Sequence, residues 1–338
     1  MSQLAGSQNG TYMINPRHMA TKKPSNTNDE DLFDGMLDVD KPLDKPTIMS
    51  YFLQRIRLGE ICREITDQFP LFEPDFGKPN CEQVKDIDRR ICEFIRALPQ
   101  FLHLDYDMNE MPEADIRRSP SIVVHRYIIN SLVHMQRCRL HLPSLSRTPQ
   151  DAYSSSKNAC LEAARMVIRT EVQLSSENIP FVLTRLKFAG SLICVCMAII
   201  ALLMDFCHNK SLDPEEDQER RSEIQDALRI LEDGKVHSLF AGKLLDAFNS
   251  ILQRNKVPLP SEGRSSRSKK RDRKNPPASL DPVTMPVISQ TTDTEATVTE
   301  PTFPILDDLG QIFDANADPS SLIDWNALLS ELDAPFLS

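Results

Sequence analysis

The sequence predicts an all-α protein: a multi-helix regulatory domain around a central apolar helix, with tails expected to be disordered. Three observations predict it. Apolar residues recur at spacings of three and four in one segment after another. No segment alternates apolar and polar residues with a period of two between turn residues. Glycine is scarce, at 10 of 338 residues, which disfavours folds rich in tight turns, while 40% hydrophobic residues can fill a sizeable core.

Residues 1–45 are polar. Seven acids lie between Asp29 and Asp44, interrupted by prolines and short apolar pieces, so an extended segment draped on a core is expected. Thr47 can cap a helix running to about Phe69, with Leu58, Ile61 and Ile65 on one stripe and Tyr51 a heptad earlier. Residues 80–98 place Val84, Ile87, Ile91, Phe94, Ile95 and Leu98 on one face, and Pro99 stops that helix. Residues 119–140 carry Ile128, Leu132 and Met135 on one row and Ile129, Val133 and Leu140 beside it. Thr148–Pro149 reads as a cap and first turn. The helix after it holds Ala159, Cys160, Ala163 and Ala164, small enough for close helix packing.

"FAGSLICVCMAIIALLM", residues 188–204, is uncharged. A membrane span needs about 20 apolar residues, so this run sits near the lower limit. Lys187 and Asp205 bound it closely, no aromatic belt flanks it, and the amphipathic helices around it need an apolar partner. A buried central helix is therefore expected, and no membrane. Residues 215–233 form a helix on Ile224, Leu228 and Leu231, ended by Gly234 as a C-terminal cap. Residues 236–254 form another on Phe240, Leu244, Phe248 and Ile251. The helical domain thus spans 46–256.

Residues 257–300 read as a disordered linker, with six prolines and few large apolar residues. Within it Arg264, Arg267, Lys269, Lys270, Arg271, Arg273 and Lys274 offset only Asp272, in a chain whose formal net charge is −10. Three roles compete for this cluster: a solvated linker, a nuclear-import address, or a contact to the DNA backbone. The last would be weak and sequence-blind, since no base-reading element accompanies it. Residues 301–338 form an acidic-hydrophobic tail with seven acids and no Lys or Arg. There Leu322, Trp325, Leu328, Leu329 and Leu332 fall on one face of a candidate helix, with Asp324, Glu331 and Asp333 around it. Two readings stand for it: an activation segment that enters a basic-rimmed partner groove, or a helix that docks back on the protein's own core.

Residues that carry chemistry are missing in recognisable patterns. The eight cysteines contain no C-x-x-C pair, so Cys194 and Cys196 are expected to be buried thiols and not metal ligands. His134 and His141 could share a helix face, but nothing completes a metal set around them. No phosphate-binding loop, dinucleotide fingerprint, nucleophile elbow or zinc-protease motif occurs. No catalytic, cofactor or metal site is therefore assigned.

Several stretches taken together resemble the regulatory part of fungal-specific transcription factors of the binuclear zinc-cluster class. The first is "NPRHMATKKPSNTNDEDL" (15–32), followed by "KPTIMSYFLQRIRLGEICREI" (45–65). The second is "QRCRLHLPSLSR" (136–147), where Leu142 stands in place of an Arg found in many members. The third is "SSSKNACLEAAR" (154–165). The order and spacing of these stretches carry the resemblance over roughly residues 15–255. These regulators usually hold an N-terminal six-cysteine cluster that binds two zinc ions and reads DNA. No such cluster occurs in these 338 residues, which begin where the second half of the regulatory domain would, so zinc and specific DNA binding do not carry over. A truncated product, a partial gene model and a regulator without its own cluster all fit.

The resemblance implies a nuclear transcriptional regulator, an activator of pathway-specific genes such as secondary-metabolite clusters. Its partners would be an import receptor and the transcription machinery or a co-activator, with a homo- or heterodimer partner left open. A cytosolic helical adaptor without a promoter role is the second reading, and an enzyme the third.

Overall fold

The structure, a computed structural model, describes residues 16–254 apart from 19, 34–39, 69–80, 108–111, 113–114, 146–150, 188 and 210–212. Among the described residues there are seven α-helices, short 3-10 segments and no strand, so the fold is all-α.

The first helix, α1 (Ser50–Gln68), begins three residues after Thr47, and Thr47 still organises its start. The Thr47 N–H donates to Ser50 Oγ at 2.9 Å, and Thr47 Oγ1 accepts from the Met49 N–H at 3.2 Å. Asn28 Oδ1 accepts from the Ile48 N–H at 2.9 Å, so the N-terminal segment supplies a cap from 20 residues away. The next helix, α2 (Cys81–Arg96), buries Val84, Ile87, Ile91 and Phe94, the stripe its periodicity predicts. After Pro99 comes a 3-10 turn at Gln100–Leu102. Its carbonyls are met from α3 (Pro120–His141): Arg126 Nε donates to Phe101 O at 2.9 Å, and Asn130 Nδ2 donates to Leu102 O at 2.8 Å. The start of α3 is capped by Ser119, whose Oγ accepts from the Ile122 N–H, with Pro120 at the first helical position.

Helix α4 (Asp151–Ser176) makes its most extensive contact with α3. Ala159, Cys160, Ala163 and Ala164 are buried on it, as their size predicts. The apolar run is α5 (Ala189–His208), and residues 194–204 are buried on every side. Helices α3, α4, α6 (Pro214–Gly234) and α7 (Leu239–Arg254) all pack against it. It is long and apolar enough to cross a membrane, but it lies inside the helical bundle.

The core has two lobes. One holds Tyr51, Leu58, Ile87, Ile91, Phe101 and Ile129, drawn from α1, α2 and α3. The other surrounds α5 with residues from α3, α4, α6 and α7. Helix α5 therefore centres one lobe, and α3 is the wall common to both, with Leu132 packing into each.

Gly234 is the last residue of α6, so the helix ends there as expected, though not through a left-handed glycine, and a Cβ there would sit 3.2 Å from Ala241 Cβ and 3.4 Å from Leu186 Cδ1. What the position requires is close approach of α6 to α7 and to the 180–187 segment, not a left-handed turn.

Candidate functional site

The three stretches that carry the family resemblance sit at structural joints. In the first, Asn26 is fully buried and acts as a hub. Its Nδ2 donates to the carbonyls of Lys41, Pro42 and Lys45 at 3.0–3.2 Å. Its Oδ1 accepts from Thr47 Oγ1 at 2.7 Å and Ser50 Oγ at 3.1 Å, and its N–H donates to Asp40 Oδ1 at 2.7 Å. One side chain thus pins the loop before α1 to the first turn of that helix. Asn28 and Asp31 form a reciprocal cap beside it, and Lys41 pairs with Asp31.

The second and third stretches meet each other. Arg137 Nε donates to Asp88 Oδ1 at 2.7 Å and Arg137 Nη1 to Glu162 Oε2 at 2.7 Å, which ties α2, α3 and α4 at one point. His141 Nε2 lies 3.1 Å from the same Asp88 oxygen. Burial works to raise the Asp88 carboxyl, but His141 and Arg137 outweigh it and hold it down to about 2. One turn away Cys138 and Cys160 face each other, sulfur to sulfur at 3.8 Å, and Cys160 Sγ donates to the Cys138 carbonyl. A carboxylate does therefore neighbour His141, across 53 residues of sequence, yet Arg137 already engages it.

These clusters lack what acid–base or nucleophilic chemistry needs. Burial pushes the Cys194 thiol up to about 12 and raises Cys196 further, so neither is a ready thiolate. Burial pulls His125 and His134 down to about 4, which leaves both neutral near pH 7. His125 lies flat on Tyr51, with ring centroids 4.3 Å apart. Glu171 is buried against Arg185, with Oε1 to Nε at 2.6 Å. No group of three metal-ligating side chains occurs among the described residues. The import candidates Arg264, Arg267, Lys269, Lys270, Arg271, Arg273 and Lys274, and the tail face of Leu322, Trp325, Leu328, Leu329 and Leu332, lie outside the described residues.

The surface exposes several large apolar side chains that sequence reasoning did not single out. Leu32 and Phe33 in the N-terminal segment, and Ile48 and Phe52 at the start of α1, are exposed. Leu183, between α4 and α5, and Val236 and Leu239, at the turn between α6 and α7, are 75%, 78% and 89% exposed.

The chain is similar to proteins named as transcription factors. "Probable transcription factor lepB" of Aspergillus flavus is 34% identical over 253 residues, 75% of this chain and 44% of that protein. "Agnestins biosynthesis cluster transcription factor AgnL11" of Paecilomyces divaricatus is 30% identical over 259 residues, 75% of this chain and 35% of that protein. "Transcription factor TAS2" of Pyricularia oryzae is 28% identical over 179 residues, 52% of this chain and 22% of that protein. No family model matches the sequence, and no solved structure matches it. The matched stretch is less than half the length of each of these relatives.

Proposed function

We propose that the chain is a nuclear transcriptional regulator, an activator of pathway-specific genes, in which an all-helical domain carries a basic import cluster and an acidic-hydrophobic tail. The observation that carries this reading is the similarity, over three quarters of the chain, to two proteins named as transcription factors, one of them named for a biosynthesis cluster. The structure is consistent with it. The motifs that carry the resemblance serve as joints of the helical domain, and the charged and apolar segments with candidate roles lie outside the described residues. The seven cations between Arg264 and Lys274 suit the acidic groove of an import receptor. The tail suits a co-activator surface that is apolar with a basic rim.

A tagged full-length chain tests the first part. It is expected to accumulate in the nucleus, and changing Lys269, Lys270, Arg271, Arg273 and Lys274 to Ala is expected to shift it to the cytoplasm. Exclusion of the unaltered chain from the nucleus would favour a cytosolic adaptor. Nuclear accumulation indifferent to the five changes would remove the import role of the cluster.

A further inference from the structure

We propose that Cys138 and Cys160 form a redox latch, in which oxidation by a small peroxide joins α3 to α4 through a disulfide. The two sulfurs lie 3.8 Å apart on different helices, and both residues are fully buried. Cys160 Sγ also donates to the Cys138 carbonyl at 3.3 Å, so it reaches the backbone of the residue it would join. A disulfide holds its sulfurs about 2.05 Å apart, so the pair must close by about 1.8 Å. The surroundings favour that approach. Ala163 and Ala164 are buried in the same cluster as both cysteines, and side chains this small let helices pack closely. Arg137, next to Cys138, binds Asp88 on α2 and Glu162 on α4, and Glu162 stands two residues from Cys160. Charged anchors on both helices thus keep the sulfurs opposed.

The chemistry balances with hydrogen peroxide as the oxidant. One thiol sulfur attacks a peroxide oxygen. The O–O bond breaks, the thiol proton goes to the departing oxygen, water leaves and a sulfenic acid remains. The second sulfur attacks the sulfenic sulfur. The S–O bond breaks, the S–S bond forms and a second water carries off the second thiol proton. The thiols together lose two electrons and two protons, and the peroxide takes them up as two waters.

Burial makes the latch slow in both directions. The thiolate is the reacting form, and the hydrogen bond to Cys138 together with burial raises the Cys160 thiol well above its ordinary value. Oxidation therefore waits for the α3–α4 contact to open locally. Once formed, the disulfide is shielded from a bulky reductant by the same packing. The pair records sustained oxidation, and a brief pulse is spent first on Cys81 and Cys92, which are partly exposed. Closing the loop between residues 138 and 160 restricts the unfolded chain, so the oxidised protein should be the more stable form. Helix α3 is the wall common to both core lobes, and the link would hold that wall to α4 in one arrangement. None of this depends on the regulator reading.

The test uses the full chain, reduced, then incubated with hydrogen peroxide without denaturant, unfolded and alkylated. Digestion at acidic residues releases Cys138 in peptide 116–151 and Cys160 in peptide 152–162, with one cysteine in each. Mass spectrometry should find these two peptides joined by a disulfide, with both thiols lost, and should find the link forming later than Cys81 and Cys92 react. The melting temperature of the oxidised chain should rise, and prolonged dithiothreitol should reverse both changes. Cys138→Ala should leave the Cys160 peptide unlinked and abolish the rise, with helical circular dichroism unchanged. Should that variant fail to fold, the linked peptides of the unaltered chain still decide the question. Both thiols remaining free after Cys81 and Cys92 are consumed, either one pairing with a different cysteine, or a rise in melting temperature that persists in Cys138→Ala would each overturn the proposal.

Discussion

At the scale of single residues, the buried polar groups determine where the chain joins itself. Asp88 is the clearest case. Its carboxyl is held down to about 2 from an ordinary 3.8, burial being outweighed by His141 and Arg137. A group whose folded pKa is depressed adds stability above its unfolded pKa and loses it as the pH falls towards the folded value. The contribution, about 2 kcal/mol at 1.4 kcal/mol per unit, should therefore be complete above pH ~4 and vanish between pH 4 and 2. Denaturant titrations of Asp88→Asn across that window should show lower stability at pH 7 and a flatter acid limb. An acid limb identical to the unaltered chain's would show that this cluster does not link α2, α3 and α4 energetically. The thiols give a second residue-scale prediction. Cys62, Cys138, Cys160, Cys194, Cys196 and Cys207 are buried, and Cys81 and Cys92 are partly exposed. A disulfide reagent should titrate about two thiols quickly in the native chain and all eight after denaturation. The same preparation, dialysed, should contain no stoichiometric zinc. About one zinc per chain would overturn the reading of Cys194 and Cys196 as plain core thiols.

At the scale of elements, what the sequence disclosed depended on how local the cause was. The stripe Val84–Ile87–Ile91–Phe94 and the small-residue set of α4 are periodic patterns, and both face the core as expected. Starts and ends moved by a few residues, as helix ends do. The Asn26 hub could not be read, because its bonds cross 14–24 residues of irregular chain and nothing in the local pattern distinguishes this asparagine from a turn residue. The Asp88–Arg137 pair spans 49 residues and was hidden for the same reason. Gly234 ends α6 as expected, but the neighbour that its missing side chain admits, Ala241 of α7, is not legible in the sequence around it. The proposed site residues at 264–274 and 322–332 rest on charge and pattern alone. One element-scale consequence is testable at α4. Ala163 is fully buried in the lobe that surrounds α5. Ala163→Leu forces extra methylenes into that packed core and should cost about 1–3 kcal/mol. Calorimetry should show a melting temperature several degrees lower. An unchanged melting temperature would mean that the small residues of α4 are not there for close packing.

At the scale of the whole molecule, charge is unevenly divided along the sequence. The tail alone supplies −7 of the net −10, while the linker before it concentrates the cations. The tail's apolar face is short. A lone helix of that length would be marginal in water, so on the proposed reading a partner supplies the ordering free energy by burying Leu322, Trp325, Leu328, Leu329 and Leu332. The surrounding acids keep these side chains from collapsing on one another and favour a groove with a basic rim. An activation segment has these requirements, and they do not depend on the domain to which the tail is attached. Residues 301–338 fused to an unrelated DNA-binding domain should therefore activate a reporter. Trp325→Ala with Leu329→Ala should abolish activation. Burying a Trp and a Leu removes on the order of 200 Å² or more of apolar surface from water, several kcal/mol at about 25 cal/mol per Å², which is comparable to the whole affinity of a weak peptide complex. Matched fusion levels on a blot would exclude degradation as the cause. A silent fusion, or one indifferent to both substitutions, would make the tail a structural element of its own protein, and the regulator reading would then rest on the helical domain alone.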